Sequence, residues 1–234
     1  MQREERTLST LGLDGVAPAG FDAGFERGSF AVGALFPTPL VTARLAAHEA
    51  LNAALTATIL ARETVERGVA ISNLGGWHSA EFLSWCGPAG EAVIETARQM
   101  AQRMTLTELG GELVQANAAW RVTAWANVNR AGHANRAHGH AGAFWSGIYW
   151  VDDGGAADPA VGGLLELVDP RGLVPEMVAP HLRCAVKDCL SAGRSEMVTP
   201  EAGTMVLFPS WLVHAVTPYR GTRPRISIAF NFSV

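Results

Sequence analysis

RISIAFNF (225–232) places Ile226, Ile228, Phe230 and Phe232 on one parity and Arg225, Ser227, Ala229 and Asn231 on the other. Successive side chains of an extended chain point to opposite faces, so this segment reads as a strand with one apolar and one polar environment. The same texture recurs in WRVTAWANVN (120–129), where Trp120, Val122, Ala124, Ala126 and Val128 oppose Arg121, Thr123, Trp125, Asn127 and Asn129. FWSGIYWV (144–151), GLLELV (163–168) and GTMVLFP (203–209) read as further strands.

Upstream the period lengthens. Thr38-Pro39 suits a first helical turn, and Val41, Leu45, His48, Leu51, Leu55 and Ile59 follow at three- and four-residue spacing, ending at Arg67-Gly68. Gly75-Gly76 in SNLGGWHSAEFLSW (72–85) signals a turn. Gly87-Pro88 opens a second helix through about Leu109, with Val93, Ile94, Ala97, Met100, Ala101 and Met104 inward. Helices followed by strands predict an α+β protein, its N-terminal helices buttressing an antiparallel sheet or barrel. Nothing repeats and no linker appears, so residues 1–234 read as one domain, with 1–30 an extension, one early strand expected within 1–35, and about 118–234 the strand core. The loop-rich stretches 152–162 and 170–202 are long enough to act as flaps.

With 48% hydrophobic and 17% charged residues, burial alone can sustain a core. A net charge of −4 without a Lys/Arg cluster argues against a nucleic-acid surface. Cys86, Cys184 and Cys189 make an odd count with no zinc-knuckle spacing, and read as idle thiols in a reducing compartment. No leader or membrane span is evident, so a cytoplasmic location is expected. A homodimer is compatible with the sequence.

The chemistry concentrates on His138 and His140 in RAHGHAGAFWSGIYWV (136–151), and on His214 in LFPSWLVHAVTP (207–218). Residues two apart on a strand share a face, so two imidazoles can converge on one point and His214 can close the set from a neighbouring strand. Three histidines with a free position suit zinc with a water or non-haem iron with room for substrate and oxygen. Arg225 and Ser227 share a face and can receive an anionic ligand, since guanidinium pairs bidentately with carboxylate; the competing role is an internal ion pair. Asn127 and Asn129 lie on the polar face of their strand. A metal beside an anion anchor suggests an oxygenase.

Taken in order, His-x-His, Gly-Gly-x-Leu-Glu-Leu-x-Asp-Pro, Leu-Phe-Pro-Ser-Trp-Leu-x-His and Arg-x-Ser resemble the double-stranded β-helix oxygenases that use Fe(II) and 2-oxoglutarate. More narrowly, LFPTPL (35–40), SNLGGW (72–77), HGHAGAFWSGIYW (138–150) and residues 207–232 are similar to a family of small bacterial and phage 2OG-Fe(II) oxygenases. The resemblance covers roughly residues 30–234. It implies a jelly-roll core, iron, a 2-oxoglutarate whose distal carboxylate meets Arg225 and Ser227, and consumption of O2. It also implies release of succinate and CO2 with hydroxylation of a C–H bond in a small-molecule or peptide substrate.

The wider superfamily carries Asp or Glu where this chain has His140, so the usual two-histidine, one-carboxylate triad is absent from the local motif. The metal set is therefore His138, His140 and His214, or else a carboxylate supplied by Glu166 or Asp169, with Asp152 and Asp153 further candidates. Trp77, His78, Tyr149 and Trp211 are candidate pocket residues. His48, His133 and His181 read as packing, loop and surface residues. Two other functions stand beside the oxygenase: a three-histidine thiol dioxygenase without cosubstrate, and a non-catalytic β-barrel that binds a metal or a small acid.

Overall fold

The computed structural model describes residues 36–173, 177–182 and 193–234. The expected early strand within residues 1–35, together with Cys184 and Cys189, lies outside the described residues. Thirteen strands and two α-helices are described: β1 (Val41–Arg44), α1 (His48–Val65), β2 (Asn73–Leu74), β3 (Trp77–His78) and α2 (Gly87–Arg103) come first. They are followed by β4 (Leu106–Leu109), β5 (Glu112–Gln115), β6 (Arg121–Asn129), β7 (Ala134–His138), β8 (Trp145–Asp152) and β9 (Leu165–Leu167). The last are β10 (Glu196–Val198), β11 (Thr204–Pro209), β12 (His214–Val216) and β13 (Arg225–Ser233).

Two antiparallel sheets face each other, one ordered β1-β11-β8-β13-β6-β3 and the other β10-β9-β12-β7-β2; β4 and β5 form a separate hairpin. Strand parity sorts the apolar residues into two cores. Ile226, Ile228, Phe230 and Phe232 of β13, Tyr149 and Val151 of β8, and Met205 and Leu207 of β11 pack with Leu55 and Ile59 of α1 and Val93 and Ala97 of α2. Their strand neighbours Ile148, Trp150, Val206, Phe208 and Ala229 join Leu165 and Leu167 between the sheets. Both faces of β8 and β11 are thus covered, which is why these strands are nearly continuous apolar runs.

The expected first helix began too early. Residues 41–44 pair with β11 (Val41↔Leu207), Ala47 turns the chain with φ 51°, and only then does α1 begin. Val41 and Leu45 still reach the helix-side core, but from a strand and a turn. The second helix stops at Arg103, where expectation carried it to Leu109; Met104 is 42% exposed and residues 106–115 form a hairpin about Gly110-Gly111, both with positive φ. Gly75 and Gly76, also at positive φ, carry the chain from β2 in one sheet to β3 in the other. No helix among the described residues is long and apolar enough to cross a membrane.

Candidate active site

Register builds the inner face of the six-stranded sheet. Directly opposed residues of antiparallel strands lie on the same face. His78 of β3 opposes Asn127 of β6, which opposes Ser227 of β13, which opposes Trp150 of β8. Asn129 opposes Arg225, and Trp125 opposes Ala229. The apolar interior between the sheets therefore turns polar at one end, around Arg225, Ser227, Asn127 and Asn129. All four are buried.

The opposite sheet supplies histidines. His214 on β12 lies between His138 on β7 and Leu167 on β9. Three residues of β12, from His214 to Val216, span four of β7, from His138 to Asn135, so β7 carries a bulge. The bulge lets Asn135 and His138 face the same cavity. His140 lies two residues beyond the strand end, its backbone N–H donating to Ser210 O at 2.9 Å. The pair is thus held by a strand end and a turn, not by one regular strand as the spacing suggested.

The three rings gather with centroids 4.4, 5.0 and 5.1 Å apart, and one nitrogen from each lies within 4.8 Å of the others. His138 Nδ1 lies 2.7 Å from Arg136 O, and His214 Nδ1 lies 2.9 Å from Leu212 O. A carbonyl only accepts, so each Nδ1 carries the proton and each Nε2 is left as the ligand atom. Burial, reinforced by the neighbouring imidazoles, pulls His140 down to about 4. Burial likewise pulls His214 down to about 4, against the Leu212 carbonyl, which favours its charged form. At neutral pH both are uncharged, the state that ligates metal. Phe208 packs edge-on against His214 at 4.9 Å.

The carboxylates considered from sequence are engaged elsewhere. Glu166 opposes Ala215, so it lies on the face away from His214 and its partner Leu167. Asp169 pairs with Arg171 at 2.8 Å and accepts the Gly193 N–H. Asp152 and Asp153 accept the N–H groups of Gly154 and Gly155. Among the described residues, the one cluster with metal-ligand spacing contains histidine alone.

Arg225 is 1% exposed and forms no ion pair among the described residues, so the internal salt bridge weighed from sequence is not there. Burial lowers it to about 10, with Tyr219 and Asp153 opposing the fall, so it stays charged at neutral pH. An unpaired buried guanidinium costs on the order of several kcal/mol unless an anion joins it. Its Nε and Nη2, Trp150 Nε1 and Asn129 Oδ1 are buried without a partner among the described residues. Three of these four are N–H donors, the complement of a carboxylate. Gly163, at φ +71°, brings backbone so close to Arg225 that a Cβ there would lie 3.1 Å from its Cδ.

Two cavities meet at the histidines. A narrow one of about 40 Å³ runs from His138, His140 and His214 to Arg225, Ser227, Asn127 and Asn129. A wider one of about 630 Å³ lies on the other side, and Ser72, Trp125, His138 and His140 belong to both walls. Parity corrects the expected pocket residues. Trp77 faces the helix-side core with Val128, leaving its neighbour His78 on the inner face. Tyr149 is fully buried in the same core, bonded to Asn52 at 2.5 Å, while Trp150 faces inward. Trp211 is 56% exposed and lines neither cavity. His48, His133 and His181 lie outside the histidine cluster, as expected. Trp125 and Arg136, which line the wide cavity, were not singled out from sequence.

Residues 123–231 match the family described as "Putative 2OG-Fe(II) oxygenase". It is the family the motifs resemble. The chain is similar in structure to a Pseudomonas putida prolyl-4-hydroxylase, at 17% identity over 83% of this chain and 91% of that one, with a TM-score of 0.55. It is also similar to a Trichoplax adhaerens prolyl hydroxylase in complex with a hypoxia inducible factor peptide fragment (13% identity, 83% of each chain, TM-score 0.55). HygX from Streptomyces hygroscopicus, with nickel and 2-oxoglutarate bound, shares 11% identity over 84% of this chain and 83% of its own, with a TM-score of 0.52. At such identities these structures speak to the fold, a double-stranded β-helix. No curated protein matches the chain. The family match is to 2OG-Fe(II) oxygenases, and the three histidines have the spacing to hold a metal ion.

Proposed function

We propose that this chain is an Fe(II)- and 2-oxoglutarate-dependent dioxygenase, a single oxygenase domain that hydroxylates a C–H bond of a small-molecule or peptide substrate in the cytoplasm. Iron sits on His138, His140 and His214. The distal carboxylate of 2-oxoglutarate sits on Arg225 and Ser227, with Asn127 and Asn129 alongside. The observation that carries the reading is the buried, unpaired Arg225 at the far end of the histidine cavity. A cation so placed needs an anion of the length that joins it to the metal.

When bound, iron and 2-oxoglutarate supply the oxidising chemistry, oxidative decarboxylation to succinate and CO2 coupled to oxidation of the substrate. The chain's own part is to bind and orient. The carbonyls of Arg136 and Leu212 fix the tautomers of His138 and His214. Arg225, on the wall of the narrow cavity, keeps two buried N–H-bearing nitrogens that a carboxylate can accept from. Three neutral imidazoles leave the metal's full double charge uncompensated, which a dianionic cosubstrate offsets. Apolar residues of both sheets wall off bulk water.

The all-histidine donor set also favours a second reading, a three-histidine dioxygenase in which Arg225 binds the carboxylate of the substrate itself. Succinate production separates the two. Iron-loaded protein given 2-oxoglutarate and O2 should release succinate, and Arg225→Lys should weaken 2-oxoglutarate far more than iron. Oxygen consumption with a carboxylated thiol, independent of 2-oxoglutarate, would instead establish the second reading.

A further inference from the structure

The wide cavity has walls largely of carbon, with Ile71 and Leu83 70% and 39% exposed upon them. Several polar groups interrupt this surface, and two of them, His78 and Arg136, keep hydrogen-bonding capacity to spare. His78 is 5% exposed, stacks on Trp125 with centroids 5.3 Å apart and planes at 9°, and lies with Nδ1 2.8 Å from Ser79 O. The carbonyl accepts, so Nδ1 carries the proton and Nε2 is an acceptor, without a partner among the described residues. Arg136 sits in the β7 bulge, its backbone N–H held by Ser72 O at 2.9 Å. Arg136 lines the cavity, and its guanidinium has no hydrogen bond or ion pair among the described residues. The carboxylate of Glu81, on the same wall, already accepts the N–H groups of Leu83 and Ser84.

Resting on the oxygenase reading, we propose that this cavity takes a carboxylic acid with an apolar body and a neutral N–H or O–H donor, an N-acylated amino acid being the simplest member. Its carboxylate meets Arg136 and its donor meets His78 Nε2. The apolar body then lies along the wall shared with the narrow cavity, where His138 and His140 stand. Neither polar group belongs to the proposed cosubstrate set, so the two sites can be emptied separately.

The test is calorimetric titration of iron-loaded protein, held anaerobically with saturating 2-oxoglutarate, using N-acetyl-L-leucine, N-acetyl-L-leucinamide and L-leucine as probes. N-acetyl-L-leucine should bind at least ~10-fold more tightly than its amide, and Arg136→Gln should erase that preference, as loss of a charge-assisted hydrogen bond does. His78→Phe and His78→Gln should each weaken the acid by roughly 2- to 10-fold, the range of a neutral hydrogen bond, while keeping the acid-over-amide ratio. Tighter binding of free leucine, equal binding of acid and amide, an indifferent Arg136→Gln variant, or no binding of the acid would overturn the proposal. The visible band of the iron–2-oxoglutarate complex is read in the same samples. Its presence without acid binding removes this inference alone; its absence removes the oxygenase reading instead.

Discussion

On one face of β13, Ile226, Ile228, Phe230 and Phe232 are at most 1% exposed and pack in the core shared with α1 and α2; on the other, Arg225 and Ser227 are 1% and 4% exposed and face the histidines. The faces are equally deep. They differ in what burial leaves undone, because the first has no polar atom to satisfy while the second leaves Arg225 Nε and Nη2 without acceptors. Depth alone does not mark a site. Depth with unmatched donors does, because the desolvation penalty is offset only when a ligand arrives.

The largest expected effect breaks the polar side outright. His214→Ala should strip stoichiometric iron from the purified protein, since one of only three ligands is lost; iron retained one per chain would remove His214 from the set. A reciprocal pair tests the two faces against each other. Phe232→Ala should destabilise the fold by about 3–5 kcal/mol in denaturant unfolding, through transfer and cavity terms, yet leave 2-oxoglutarate affinity of the folded protein intact. Arg225→Met should do the reverse, weakening 2-oxoglutarate by roughly 30-fold or more. The ligand-free fold should then be unchanged or firmer by about 1–4 kcal/mol, because an uncompensated buried charge is gone. A strongly destabilised Arg225→Met would mean that Arg225 serves the fold. The smallest effect sharpens the boundary. Tyr149→Phe leaves Asn52 Oδ1 buried without its donor and should cost about 1–3 kcal/mol of stability, with no change in 2-oxoglutarate binding.

Much of this division is legible in residues 225–232 and 120–129, where alternation separates the two faces without any knowledge of neighbours. What alternation cannot give is register. That Asn129 stands opposite Arg225, and Asn127 opposite Ser227, depends on pairing across a hundred residues of chain. Adjacent aromatics defeat it as well: in Trp77-His78 and Tyr149-Trp150 either member could face inward, and pairing with Val128 and Ile228 decides. The two-residue strands β2 and β3 are too short to carry a period, and the β7 bulge changes parity within one strand. The first helix starts later than the stripe suggests because Val41 and Leu45 fit a helical period, while Val41 pairs with Leu207, far downstream in β11. The histidines were readable as chemistry, but that Glu166 lies on the far face of β9 was not.

The most direct test of the account is an anaerobic titration of the iron-loaded protein with 2-oxoglutarate, followed by its visible metal-to-ligand charge-transfer band, in the native chain and in Arg225→Met. The account predicts a saturable band in the native chain, and in the variant the same iron content with a titration displaced to far higher 2-oxoglutarate. No band with iron bound, or superimposable titrations for the two proteins, would contradict it.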